Sequence, residues 1–142
     1  MKKYLCIVIF ILTSISSFAQ DSISFKGYIY NEEYQVYIKM NLYDNNITVP
    51  NQDIYGKLPG YFGSKRDGRL WLITDAKLIS PTKAELSIIN DYGSEDLKAT
   101  LSINKDRTYT LSQENGSRIK IAVNRKWVKI PTKLVFRIPK YN

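Results

Sequence analysis

The stretch Tyr34-Gln35-Val36-Tyr37-Ile38-Lys39-Met40-Asn41-Leu42-Tyr43 decides the fold. Tyr34, Val36, Ile38, Met40 and Leu42 alternate with Gln35, Tyr37, Lys39, Asn41 and Tyr43, a period of two held over ten residues. Successive side chains of an extended backbone point to opposite faces, so this pattern reads as a half-buried β-strand. The same rhythm returns at Leu97, Ala99, Leu101 and Ile103, at Ile119, Ile121 and Val123, and at Leu134, Phe136 and Ile138. Leu70-Trp71-Leu72-Ile73 and Leu86-Ser87-Ile88-Ile89 are denser and read as strands covered on both faces.

Turn signals separate these runs at intervals of 8 to 14 residues. They stand at Asn31-Glu32, Asp44-Asn45-Asn46, Pro50-Asn51, Arg66-Asp67-Gly68, Ser80-Pro81-Thr82, Asn90 to Gly93, Asn104-Lys105-Asp106, Glu114-Asn115-Gly116 and Pro131-Thr132. Asn115-Gly116 is the strongest, because a two-residue hairpin requires positive φ at both central positions. No stretch keeps a 3.6-residue apolar period beyond two turns, which argues against a substantial helix. The expectation is an all-β antiparallel meander of about 8 to 10 strands. It closes into a barrel or folds into a two-sheet sandwich, since an open sheet would leave an apolar face and two edges in water.

Strand rhythm, together with the hairpin Asn104-Lys105-Asp106-Arg107-Thr108-Tyr109-Thr110-Leu111, resembles the small exported lipocalin-like (calycin) barrels of Bacteroidetes type. The resemblance is architectural and implies a closed barrel. Lys26-Gly27-Tyr28 stands where true lipocalins carry Gly-x-Trp.

The N-terminus reads as an export signal spanning residues 1–19, followed by a single domain over residues 20–142. Lys2 and Lys3 precede the apolar run Leu5 to Leu12, and Ser17 and Ala19 suit a signal-peptidase cut before Gln20. The run is under half the ~18 to 20 apolar residues of a membrane span. Cys6 begins the run rather than ending it, so no lipoprotein is expected. A short leader ending in Phe-Ala-Gln also resembles those of Bacteroidetes exported proteins. The expected location is the periplasm or the exterior, with no transmembrane segment.

The chain holds no histidine, and Cys6 is its one cysteine. Histidine acid–base chemistry, cysteine nucleophiles, disulfides and zinc sites built on either residue are therefore excluded. Two Ser-x-x-Lys matches, Ser80 to Lys83 and Ser117 to Lys120, lack the helix that this pairing needs. Asn90-Asp91-Tyr92-Gly93-Ser94-Glu95-Asp96 reads as a solvated hairpin tip, its spacing unlike a calcium loop. Neither a catalytic residue, a metal site nor a cofactor is expected.

Charge is uneven along the chain. Removing Lys2 and Lys3 leaves 19 basic and 13 acidic residues, a net charge of +6. Residues 20–63 carry a net −2, whereas residues 64–142 carry +8. If the last strands are neighbours, Arg118, Lys120, Arg125, Lys126, Lys133 and Arg137 form a basic outer face beside Trp127 that suits an anionic glycan or lipid. Export argues against nucleic acid as the partner.

Seven tyrosines lie between Tyr28 and Tyr61. A ring with a polar end suits a ligand platform or the mouth of a barrel. The candidate ligand-binding residues are Tyr28, Tyr30, Tyr37, Tyr43, Tyr55, Tyr61, Phe62 and Trp71. Gly56, Pro59, Gly60 and Gly63 read as a bend or mobile loop at the rim, the first place to look for an entrance. Two functional expectations follow. One is a non-catalytic binding protein for a small apolar or amphipathic ligand or an anionic envelope component. The other is an exported inhibitor or immunity-type protein acting by protein–protein contact through a surface loop, with Ile54 to Gly68 as the candidate.

Overall fold

The computed structural model describes residues 23–140, so the expected leader and its cleavage point lie outside the described residues. The chain is all-β. Its strands are β1 (Lys26–Asn31), β2 (Val36–Asn41), β3 (Ile47–Thr48), β4 (Lys57–Leu58), β5 (Gly60–Ser64) and β6 (Asp67–Ser80), followed by β7 (Lys83–Asn90), β8 (Asp96–Ile103), β9 (Tyr109–Gly116), β10 (Lys120–Val123), β11 (Lys126–Lys129) and β12 (Lys133–Phe136). Eight of them form one antiparallel sheet in the order β1-β2-β5-β6-β7-β8-β9-β12. The sheet curls until its outer strands meet: Tyr30 and Arg137 exchange backbone hydrogen bonds of 2.9 Å in each direction. The result is a nearly closed barrel rather than a sandwich.

The period-two pattern sets what fills it. Val36, Ile38 and Met40 point inward from β2, as do Phe62, Trp71, Ile73, Leu86, Ile88, Leu97, Leu101, Leu111, Leu134 and Phe136 from the strands that follow. All are buried in one cluster, and the Phe62 and Phe136 rings meet edge to face at 6.4 Å. Each such side chain contributes about 1.5–3 kcal/mol of transfer free energy, which suits a fold held without a disulfide.

Leu70-Trp71-Leu72-Ile73 is covered on both faces, as its density suggested. Trp71 and Ile73 face the interior, while Leu70 and Leu72 join Val49, Leu58 and Tyr61 in a second cluster outside the wall. That outer cluster is roofed by the β3–β4 arm, whose tip is a 3-10 turn at Asp53–Tyr55.

Two expectations are corrected. Asn115-Gly116 is not a hairpin turn but the end of β9, paired with Lys98 and Leu97. Glu114 is the extra residue of a bulge there, and a Cβ on Gly116 would lie 2.4 Å from the Asp96 carbonyl oxygen. The glycine serves close strand approach. Likewise Gly60 and Gly63 do not mark a mobile loop. They sit in β5, buried throughout, where a Cβ on Gly60 would meet the Lys39 carbonyl oxygen at 2.3 Å.

Candidate functional site

One end of the barrel gathers the turns β1–β2, β5–β6 and β7–β8, and there the connection from β9 to β12 folds as the β10–β11 hairpin. Ile119, Ile121 and Ile130 drive this hairpin onto the core, all three buried in the main cluster. The Trp71 indole Nε1–H donates to the Lys120 carbonyl oxygen at 3.3 Å, tying the hairpin to β6. Between the hairpin, the start of β6 and the β7–β8 turn lies a cleft of about 460 Å3.

Trp71 lines the cleft, almost wholly buried, and Trp127 and Tyr92 stand exposed beside it. The Arg69 guanidinium stacks over the Trp127 ring at 4.4 Å, a cation–π contact that holds an exposed indole in one orientation. Lys120 Nζ meets Glu95 Oε1 at 2.9 Å across the cleft, and Lys129 adds a further cation. The β7–β8 turn is stiffened by Asn90, whose Oδ1 accepts from the Ser94 and Glu95 amides at 2.8 and 3.2 Å. A second concavity of about 400 Å3 shares Arg69 and Trp127 and adds Arg66, Asp67, Arg125 and Lys126.

The basic residues singled out in the sequence are dispersed because β12 pairs with β9, whereas β10 pairs only with β11. No continuous ladder runs across them. Arg118 folds back, its Nη2 donating to the Ile130 carbonyl. Lys133 lies exposed on β12 opposite Ser112. Arg137 sits at the barrel seam, where its charge adds to the Thr108 hydrogen bonds that chiefly hold the Asp106 carboxyl below its usual range. Lys120, Arg125 and Lys126 do come together with Trp127, and they are joined by Arg66, Arg69 and Lys129. Arg66, Arg69, Tyr92 and Glu95 were not read as site residues because tertiary folding alone brings them to the hairpin, whereas Lys129 ends β11 and lies on the hairpin itself.

The tyrosines occupy a different surface. Tyr28 and Tyr37 stack on the outer wall at 5.3 Å, and Tyr61 meets Tyr37 edge-on at 6.1 Å. Burial pushes all three hydroxyls above their ordinary value, with neighbouring tyrosines adding to the effect at Tyr28 and Tyr61. They line a shallow trough of about 720 Å3 with Lys26 and Lys39. Tyr30 lies under the Lys65 ammonium at 4.2 Å. Tyr43 is spent on structure, its hydroxyl accepting the Phe25 amide at 3.0 Å. Tyr55 sits exposed in the arm, and Phe62 is packed in the core.

Among the described residues no three His, Cys, Asp or Glu side chains converge as a metal ion requires, and no helix is long and apolar enough to cross a membrane. Comparison with protein families, with curated proteins and with solved structures found no match.

Proposed function

We propose that this chain is a non-catalytic exported binding protein of lipocalin-like shape whose ligand, amphipathic or anionic, is held against Trp127 at the hairpin-capped end of the barrel. The observation that carries the reading is Trp127 itself, 59% exposed, stacked under Arg69 and standing over a ready-formed cleft. An indole fixed in water by a cation, beside convergent polar groups, is what a small-molecule site presents. The ligand is assigned to the end of the barrel and not its interior because the inward positions are taken up by packed side chains. Native mass spectrometry of the protein purified after export tests this. A small molecule should co-purify, and Trp127→Ala should lose it.

A second reading, an inhibitor acting by protein contact, is favoured by Ile54. This residue is 93% exposed at the tip of the β3–β4 arm, a large apolar side chain offered to solvent. The arm is shorter than the Ile54 to Gly68 segment expected, since Gly60–Ser64 belongs to the sheet. In the same mass-spectrometric experiment, a co-purifying protein lost in Ile54→Asp would select this reading over the first.

A further inference from the structure

We propose that the concavity beside the Trp127 cleft is a subsite for a phosphate or sulfate ester carried on a sugar. The inference rests on the binding role just proposed and names the ligand class for that site. Two turns meet here. The β5–β6 turn brings Arg66 and the β10–β11 turn brings Arg125 and Lys126, with Arg69 between them. Asp67 is the one carboxylate in the lining, and it is already engaged with Arg69 Nη1 at 3.6 Å. The surplus of positive charge exceeds what a single carboxylate would neutralise, and it suits a group carrying up to two negative charges.

The backbone supplies an independent argument. Asn124 and Arg125 form the two-residue β10–β11 turn at φ 51° and 66°. The second position of such a turn is ordinarily glycine, since a Cβ disfavours it. The chain carries an arginine there instead, and Arg125 lines the concavity together with Arg66, Arg69 and Lys126. Arg66 is oriented, its Nε–H donating to Gln35 Oε1 at 3.3 Å, which leaves its Nη pair as the fork for an oxyanion.

A sugar is the carrier because both concavities share Trp127. The C–H face of a pyranose packs on the part of the Trp127 indole that Arg69 leaves exposed, and its hydroxyls match Glu95, Asp91 and Lys120 in the adjoining cleft. The ester then reaches the cations from a ring seated on Trp127. A soluble glycan and the head of a phosphorylated glycolipid offer the same chemistry.

The test is a 1H–15N titration of the labelled protein with N-acetylglucosamine, its 6-sulfate and its 6-phosphate, read at the Trp127 indole and the Arg125 and Lys126 amides. Both esters should half-saturate at a concentration at least ~5-fold below the neutral sugar, and added salt should erode that preference. The double variant Arg125→Gly with Lys126→Gln should sharply reduce the preference, since Arg66 and Arg69 remain, and leave the neutral sugar's half-saturation unchanged. The glycine suits the turn, so loss of the fold does not confuse the result. Equal half-saturation of all three sugars would overturn the ester subsite and leave the Trp127 reading standing. A Trp127 indole that responds to none of them would overturn both. Co-sedimentation with phosphatidylcholine vesicles carrying a phosphorylated glucosamine lipid, against the soluble ester, assigns the source. Retention on vesicles supports the glycolipid, and binding of the soluble ester alone supports the glycan.

Discussion

Tyr30 and Arg137 join the first strand to the end of the last, each amide donating to the other's carbonyl oxygen at 2.9 Å. A single bridge, helped by the Asn31 Nδ2–H bond to the Val135 carbonyl at 2.8 Å, makes a wall out of a meander. Arg137→Pro removes one of these donors and should cost about 0.5–1.5 kcal/mol, by the net worth of a lost backbone hydrogen bond. Arg137→Gln keeps the backbone and should stay within about 0.5 kcal/mol of the parent. Urea unfolding separates the two, with a lower midpoint for the proline variant alone.

Gly60 and Gly63 are packing residues. A Cβ at Gly60 would strike the Lys39 backbone at 2.3 Å, whereas at Gly63 it would strike the Tyr37 ring at 2.5 Å. A backbone cannot yield as a ring can. Gly60→Ala should therefore destabilise by about 1–3 kcal/mol or more, and Gly63→Ala by less. The second variant should also displace Tyr37 and break its stack with Tyr28, visible as a change in near-ultraviolet circular dichroism.

Arg125 pays in stability for its position at φ 66°. Arg125→Gly relieves a left-handed conformation that costs a side chain about 1–2 kcal/mol, so the melting temperature should rise by several degrees on the scale of small domains. A calorimetric scan that showed a fall instead would mean that Arg125 holds the hairpin through contacts of its own.

The stacked tyrosines make an alkaline prediction. Burial raises the hydroxyls of Tyr28, Tyr37 and Tyr61 above their unfolded value, so the folded chain holds those protons longer than the unfolded chain. Their contribution to stability is complete below about pH 10 and is lost as the pH rises through the folded values. Absorbance titration at 295 nm should show late-ionising tyrosines that revert to ordinary behaviour in urea. The loss of stability should begin near the same pH.

Local pattern made the barrel legible. The alternation from Tyr34 to Tyr43 became β2 with its inward faces as read, and the density at Leu70 to Ile73 marked a strand sandwiched between two clusters. The turns were legible where residue chemistry was ordinary. Asn115-Gly116 misled because a glycine needed for close approach and a glycine needed for a turn look alike in sequence. The true turn at Asn124-Arg125 was hidden because arginine stands where glycine is ordinary, although Asn124 was a usable signal. The cleft was the least legible part. Arg69 on β6, Tyr92 and Glu95 in the β7–β8 turn and Trp127 on β11 come from three separate places in the chain, and the long reach of the hairpin across the barrel end is what unites them.

The central proposal is a ligand bound outside a filled barrel. The direct measurement is NMR mapping of an anionic amphipathic probe, 1-anilinonaphthalene-8-sulfonate, on the labelled protein. Shifts should be confined to the Trp127 indole and its neighbours Arg69, Lys120 and Glu95, while the methyl signals of Ile38, Ile73 and Leu101 stay in place. Saturable shifts of those interior methyl groups, with Trp127 unmoved, would contradict it.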